Sequence, residues 1–165
     1  MSKIKNISFS YIEHEDQKEL SPEDQELIKA SEEAALSAYA PYSRFRVGAA
    51  IRLESGRIVP GANVENSAFP SGICAERTAL SAAITNFPND RPVTMAITGI
   101  TDQGFTSESI SPCGNCRQVI AEEENRWGRK IRILLASKDK TIEIDGIDQL
   151  LPLQFNRNSL RPGRP

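Results

Sequence analysis

The chain has three cysteines, Cys74, Cys113 and Cys116, and their spacing points to a metal. Cys113 and Cys116 bracket the run Pro112-Cys113-Gly114-Asn115-Cys116, and Cys74 opens Cys74-Ala75-Glu76. Three thiolates on a tetrahedral zinc leave a fourth position open for water, which marks a catalytic rather than a structural site. Glu76, two residues after the first cysteine, is the carboxylate that such a site needs to carry protons. Other readings account for less. A buried cysteine is commonly a small hydrophobe, and a C-x-x-C pair can be a redox couple. Neither gives Cys74 and Glu76 a reason to be there. A structural zinc wants a fourth ligand, and the one histidine, His14, lies far upstream in a polar stretch, where it reads as a surface residue.

Positioning these groups is the task of the surrounding elements. Ser21-Pro22-Glu23-Asp24 reads as a helix start, with serine at the cap, proline in the first turn and acids behind it. Leu27, Ile28, Ala34, Ala35 and Ala38 follow at near-helical spacing, so a helix is predicted over 23–39, ended by Pro41. Arg46 to Leu53 and Arg57 to Asn63 read as strands of a hairpin joined at Ser55-Gly56. Further helices are predicted over 73–86 and 113–125, with strands over Val93 to Ile100, Ile131 to Ala136 and Thr141 to Ile144. This order predicts an α/β fold, with helices on both faces of a five-stranded sheet. The lead-in of residues 1–22 reads as extended, and the tail of 156–165 as loose. Leu150 to Phe155 reads as a short closing helix on its own domain.

Both metal motifs fall at helix starts, where unpaired N–H groups and the helix dipole lower a thiol pKa. Zinc with three thiolates is already net negative, which holds up the pKa of its water. Arg77, directly after Glu76, is placed to offset this charge by donating hydrogen bonds to the thiolates.

The whole chain narrows the class. At 165 residues it fits one domain able to bury a core. Its formal net charge of -2 offers no broad electropositive surface for a nucleic acid. No apolar run approaches the ~20 residues of a membrane span, and the N-terminus lacks a signal-peptide core. An odd cysteine count with C-x-x-C spacing fits metal binding in a reducing compartment, so a cytoplasmic address is expected.

Together the motifs take the C-A-E and P-C-x-x-C form of zinc nucleobase deaminases, and their neighbourhoods narrow the match. Gly72-Ile73-Cys74-Ala75-Glu76-Arg77-Thr78-Ala79 and Ser111-Pro112-Cys113-Gly114-Asn115-Cys116-Arg117-Gln118-Val119 resemble the homotetrameric, three-cysteine class of cytidine deaminases. So do Tyr42-Ser43-Arg44-Phe45-Arg46-Val47-Gly48-Ala49-Ala50 and Asn63-Val64-Glu65-Asn66. The resemblance runs in unbroken order over about residues 23–155, the expected deaminase domain. It implies a three-layer α-β-α sandwich and one zinc per chain on Cys74, Cys113 and Cys116, with Glu76 as the proton shuttle. The activity it implies is hydrolysis of cytidine and 2′-deoxycytidine to uridine and 2′-deoxyuridine, in pyrimidine salvage.

Residue by residue, the resemblance puts Asn63 and Glu65 on the ribose 3′-hydroxyl and Phe45 beside the pyrimidine. The Ala75 N–H would hold the base O2, and the Ser111 carbonyl would accept from the amino group. Phe155 would cross to a neighbouring subunit and stack on the base. Without the resemblance, Asn63 to Asn66 is a strand end entering a loop, and Phe45 is as readily core. Phe69 departs from the tyrosine usual in the family at that place. A deaminase of another aminopyrimidine nucleoside, such as blasticidin S, is the alternative. A protein that only binds nucleosides or polynucleotides would have no use for the intact Cys74-Ala75-Glu76.

Overall fold

The computed structural model describes residues 2–160. In chain order the elements are β1 (Ile12–His14), α1 (Pro22–Leu36), β2 (Arg46–Leu53), β3 (Ile58–Ala62), α2 (Ala75–Asn86), β4 (Pro92–Thr101), β5 (Gly104–Phe105), α3 (Gly114–Trp127), β6 (Arg132–Ala136), β7 (Thr141–Asp145) and α4 (Arg157–Leu160). The sheet runs β1-β7-β6-β4-β2-β3, with β5 folded back on the end of β4. Among the strands of the described residues only β4 and β6 pair in parallel, across the α3 crossover; the other pairs are antiparallel.

Side-chain alternation along the central strands builds two cores. Ala49, Ile51, Leu53, Met95, Ile97, Ile133 and Leu135 pack with Ala79 and Leu80 of α2 and Ile120 of α3. The residues between them, Ala50, Ala96 and Leu134, pack with Leu27 and Ile28 of α1 on the other face. Period-two strands therefore feed a helix layer on each side. The expected three-layer α-β-α arrangement is present.

Glycine sets how closely the helices approach. A Cβ on Gly61 of β3 would stand 2.3 Å from the Ala79 nitrogen and 2.9 Å from the Ala75 carbonyl oxygen, both in α2. Backbone cannot yield as a side-chain tip can. Gly61→Ala must therefore push α2, with Cys74 and Glu76 at its start, away from the sheet. Overpacking of this kind costs roughly 1–3 kcal/mol. We expect a lower Tm in thermal unfolding together with weakened zinc retention. A variant with unchanged Tm and zinc content would show that α2 does not depend on this approach.

Some boundaries and one strand count differ from the sequence reading. The first helix stops at Leu36 rather than at 39, because the Ser37 N–H and Oγ bond back to the Ala34 carbonyl. Tyr39 then bridges to Val64. The sheet has seven strands rather than the expected five: part of the lead-in is ordered onto it, β1 pairing with the edge of β7, Ile12 opposite Glu143 and His14 opposite Thr141, and the chain after β4 folds back on it as β5. His14 is accordingly partly buried rather than a surface residue, with Nε2 2.9 Å from Glu143 Oε2. Glu143 also meets Arg132, which pairs in turn with the buried Asp24 of α1. The closing helix expected over 150–155 is replaced by a 3-10 turn at Ile147–Gln149 and an irregular segment. One helical turn, α4, lies within the tail that was expected to be loose; residues 161–165 of that tail lie outside the described residues.

Candidate active site

Cys74 is the N-cap of α2 and Cys113 the N-cap of α3, so the two helix starts meet at their sulfurs. Cys74 Sγ and Cys113 Sγ are 3.9 Å apart, and Cys113 Sγ and Cys116 Sγ are 3.5 Å apart. All three sulfurs lie within 4.8 Å of one another, and all three thiols are free. Zinc–sulfur bonds of about 2.3 Å in a tetrahedron set sulfurs about 3.8 Å apart. The cluster has the dimensions of a three-thiolate zinc site.

Its donor chemistry agrees. Burial, reinforced by the Glu76 carboxylate, raises the Cys74 thiol above its ordinary range. The same two causes raise Cys116 strongly. Cys113 runs the other way: burial pushes it up, but the N–H groups of Cys116 and Asn115 and the neighbouring sulfurs outweigh that and lower it. Holding all three as thiolates in this space calls for a cation. Metal loading must then displace protons, so zinc affinity should strengthen from mildly acid to mildly alkaline pH. Competition against a chelator across that range checks the sign, and an affinity that is flat with pH would remove the thiols from the ligand set.

Two of these sulfurs open on a cleft of about 680 Å³, within the range of small-molecule sites. Cys74, Cys113, Ala75 and Glu76 line it, as do Ser111 and Phe45, while Cys116 is buried beside it. Glu76, 6% exposed, has its carboxyl raised by burial. A buried carboxyl that gives up its proton less readily than an exposed one is suited to carrying protons near neutral pH.

Asn63 and Glu65 line the same cleft, and each also shapes it. Asn63 Oδ1 accepts from the Val47 N–H at 2.7 Å, and Nδ2 donates to the Phe45 carbonyl at 3.1 Å. Its amide thereby fixes the backbone on either side of Arg46, and with it Phe45. The Glu65 carboxylate accepts from the Tyr42 N–H at 2.8 Å, the Ser43 N–H at 3.2 Å and the Ser43 hydroxyl. The Ser43 hydroxyl first, then these two N–H groups, hold its pKa below the usual carboxylate range.

Sequence reasoning did not find the Ser43–Glu65 contact, which joins residues 22 apart and leaves no local signal. Nor did it find Tyr42, whose ring meets Phe69 edge-on at 5.8 Å on the outer part of the cleft. Arg77 and Phe155 do not line the cleft of their own chain. Arg77 follows Glu76 on α2, half-buried, and among the described residues no hydrogen bond joins its guanidinium to a sulfur. Phe155 is 58% exposed, its backbone carbonyl held by Gln118.

A buried carboxyl and a three-sulfur cluster opening on a small-molecule cleft, set on helix starts over a mixed sheet, define a metal-dependent hydrolytic site. The family model described as the cytidine and deoxycytidylate deaminase zinc-binding region matches residues 21–126. A cytidine deaminase of Halalkalibacterium halodurans is 37% identical over 136 residues, 82% of this chain and 96% of its own. One of Sporosarcina psychrophila is 39% identical, over 82% of this chain and 93% of its own. The crystal structure of a cytidine deaminase from Burkholderia pseudomallei is 36% identical and superimposes with a TM-score of 0.67, covering 79% of this chain and 97% of that one. The chain belongs to the cytidine and deoxycytidylate deaminase family.

Proposed function

We propose that this protein is a zinc-dependent hydrolase that converts cytidine and 2′-deoxycytidine to uridine and 2′-deoxyuridine with release of ammonia. The observation that carries this reading is the meeting, in one cleft, of the three-sulfur cluster, the buried Glu76 and the Asn63/Glu65 pair. Cys74, Cys113 and Cys116 hold one zinc, and bound there it supplies a water of lowered pKa as the nucleophile. Glu76 takes the proton of the attacking water and delivers it to ring N3, which makes C4 electrophilic. It then carries the proton of the new C4 hydroxyl to the 4-amino nitrogen as the C4–N bond breaks and the C4 carbonyl forms, so one water is consumed for each ammonia released.

The other residues bind and orient. Ala75 is the first residue of α2, so its N–H has no partner within the helix and can donate to the base O2. The Ser111 carbonyl accepts from the 4-amino group, and Phe45 flanks the ring. One N–H of Asn63 is committed to Phe45; the second is available to the 3′-oxygen. Glu65 has about four lone-pair sites and three donors on it, which leaves one for the 3′-hydroxyl. Arg77 offsets thiolate charge once the metal is bound.

Charge argues for a nucleoside over its 5′-phosphate. Among the described residues no lysine or arginine lines the cleft, while Glu65, with its lowered pKa, stays ionised in it. We expect ammonia release from cytidine and 2′-deoxycytidine, and release at least about tenfold slower from deoxycytidylate, cytosine, adenosine and blasticidin S, a difference of ~1.4 kcal/mol or more in barrier. Preferred turnover of deoxycytidylate or blasticidin S would reassign the substrate.

Residues 23–155 are the deaminase domain in this reading, flanked by a lead-in and a tail. The protein works as a homotetramer, in which Phe155 of a neighbouring copy stacks on the base. Its exposure, and its absence from the cleft of its own chain, support that assignment. Three free thiols fit a reducing cytoplasm, and the proposed conversion of cytidine to uridine fits pyrimidine salvage. No helix among the described residues is long and apolar enough to cross a membrane.

A further inference from the structure

Two consecutive side chains that the reaction above does not use join the metal loop to the C-terminal segment. Arg117 Nε donates to the Pro112 carbonyl at 2.8 Å, and its Nη1 donates to the Leu150 carbonyl at 2.9 Å. Gln118 Nε2 donates to the Phe155 carbonyl at 2.8 Å. Pro112 is buried and lies between Ser111 and Cys113, so its peptide orientation sets both the Ser111 carbonyl and the direction of the Cys113 sulfur. Two turns further along α3, Glu124 accepts from the Ile147 N–H at 3.0 Å, just ahead of the same segment. The helix that carries Cys116 thus grips the chain at Ile147, Leu150 and Phe155 by its backbone.

At its far end that grip presents side chains instead of burying them. Leu150 and Leu151 pack on the core, whereas Leu153 is 84% exposed and Phe155 58%. A segment anchored by packing would turn these apolar groups inward. Here Ile147 is buried and Leu150 half-buried at the near end, while at the far end the Phe155 carbonyl is tethered and the Leu153 and Phe155 side chains face out.

We propose that Arg117 is a positioning residue whose fork holds the Ser111-Pro112-Cys113 turn on one side and residues 150–155 on the other. Gln118 is the second tie, so the metal loop and the outward Phe155 are set by one joint. The planar guanidinium can donate in two fixed directions at once, which a lysine ammonium on a flexible stem does not reproduce. The catalytic consequence rests on the proposed deaminase activity; the joint itself does not.

The test uses the full zinc-loaded chain and the variants Gln118→Ala, Arg117→Gln and Arg117→Lys. Readouts are the release of zinc to a chelator, hydrogen exchange at the amides of 151–155, and kcat and KM for cytidine. Losing a charged donor from a half-buried carbonyl should change the first two by about tenfold or more in Arg117→Gln, and Arg117→Lys should not restore both together. Gln118→Ala removes a single, partly exposed tie. It should speed exchange at 151–155 and raise KM while leaving zinc release unchanged, and its effect on KM should vanish in a Phe155→Ala background. Wild-type zinc release in Arg117→Gln, or unchanged exchange at 151–155 in Gln118→Ala, would overturn the proposal. Should Arg117→Gln fail to fold, the exchange result for Gln118→Ala still decides it. If the wild-type protein turns over no cytidine, the functional reading fails, while zinc release and exchange still decide the joint.

Discussion

Glu76→Gln should keep its fold and its zinc and lose cytidine turnover by roughly 10²–10⁴-fold or more, the contribution of a positioned proton carrier. The substitution keeps volume and hydrogen-bonding reach at a site only 6% exposed, so packing has little reason to change. What it removes is the ability to accept a proton and give it back, which the reaction requires at N3 and again at the leaving nitrogen. Burial raises the carboxyl pKa because the charged form is poorly solvated there, and a neutral amide carries no such penalty. The variant should therefore be as stable as the wild type. Zinc content, circular dichroism and kcat measured on one preparation separate the effects. Activity within about tenfold of wild type, ~1.4 kcal/mol in barrier, would assign the proton to another group.

Cys113→Ala should lose the metal. Its sulfur touches both of the others, at 3.9 Å and 3.5 Å, and it is the thiol whose pKa the local N–H groups already lower. Its removal leaves two thiols that burial disfavours as thiolates, and two sulfurs do not complete the ligand set of a catalytic zinc. His14→Ala is the control. That ring is engaged with Glu143, next to where β1 pairs with β7, so its loss should leave zinc content unchanged. Metal analysis after dialysis reads both variants. Full zinc retention in Cys113→Ala would overturn the assignment of ligands.

What the sequence disclosed and what it hid follow from the range of the interactions involved. The helix that follows Cys74 announces itself through alanine and leucine at local spacing, and the strands through runs such as Ile131 to Ala136. Pro60 is tolerated because β3 is an edge strand, where a missing N–H costs no ladder bond. By contrast β1 exists because β7 presents a free edge and because Glu143 meets His14 across 129 residues. No window of sequence holds that information. The candidate site divides in the same way. Cys74, Glu76, Cys113 and Cys116 stand in two short motifs, so residue type and spacing suffice to bring them out. The amide of Asn63 clamping Phe45 and Val47, the Ser43 hydroxyl on Glu65 and the fork of Arg117 are tertiary contacts. Their residues are ordinary polar side chains until the fold places them.

In the proposed reaction one zinc per chain and Glu76 together hydrolyse the C4 amino group of a cytosine nucleoside. The direct measurement is a parallel assay of uridine and ammonia from cytidine, made on protein titrated with zinc after removal of its metal. Both products should form in equal amounts, at a rate that rises linearly with added zinc and levels off at one zinc per chain. A protein that binds one zinc on its three cysteines, stays folded and forms neither uridine nor ammonia from cytidine or 2′-deoxycytidine would contradict the proposed reaction.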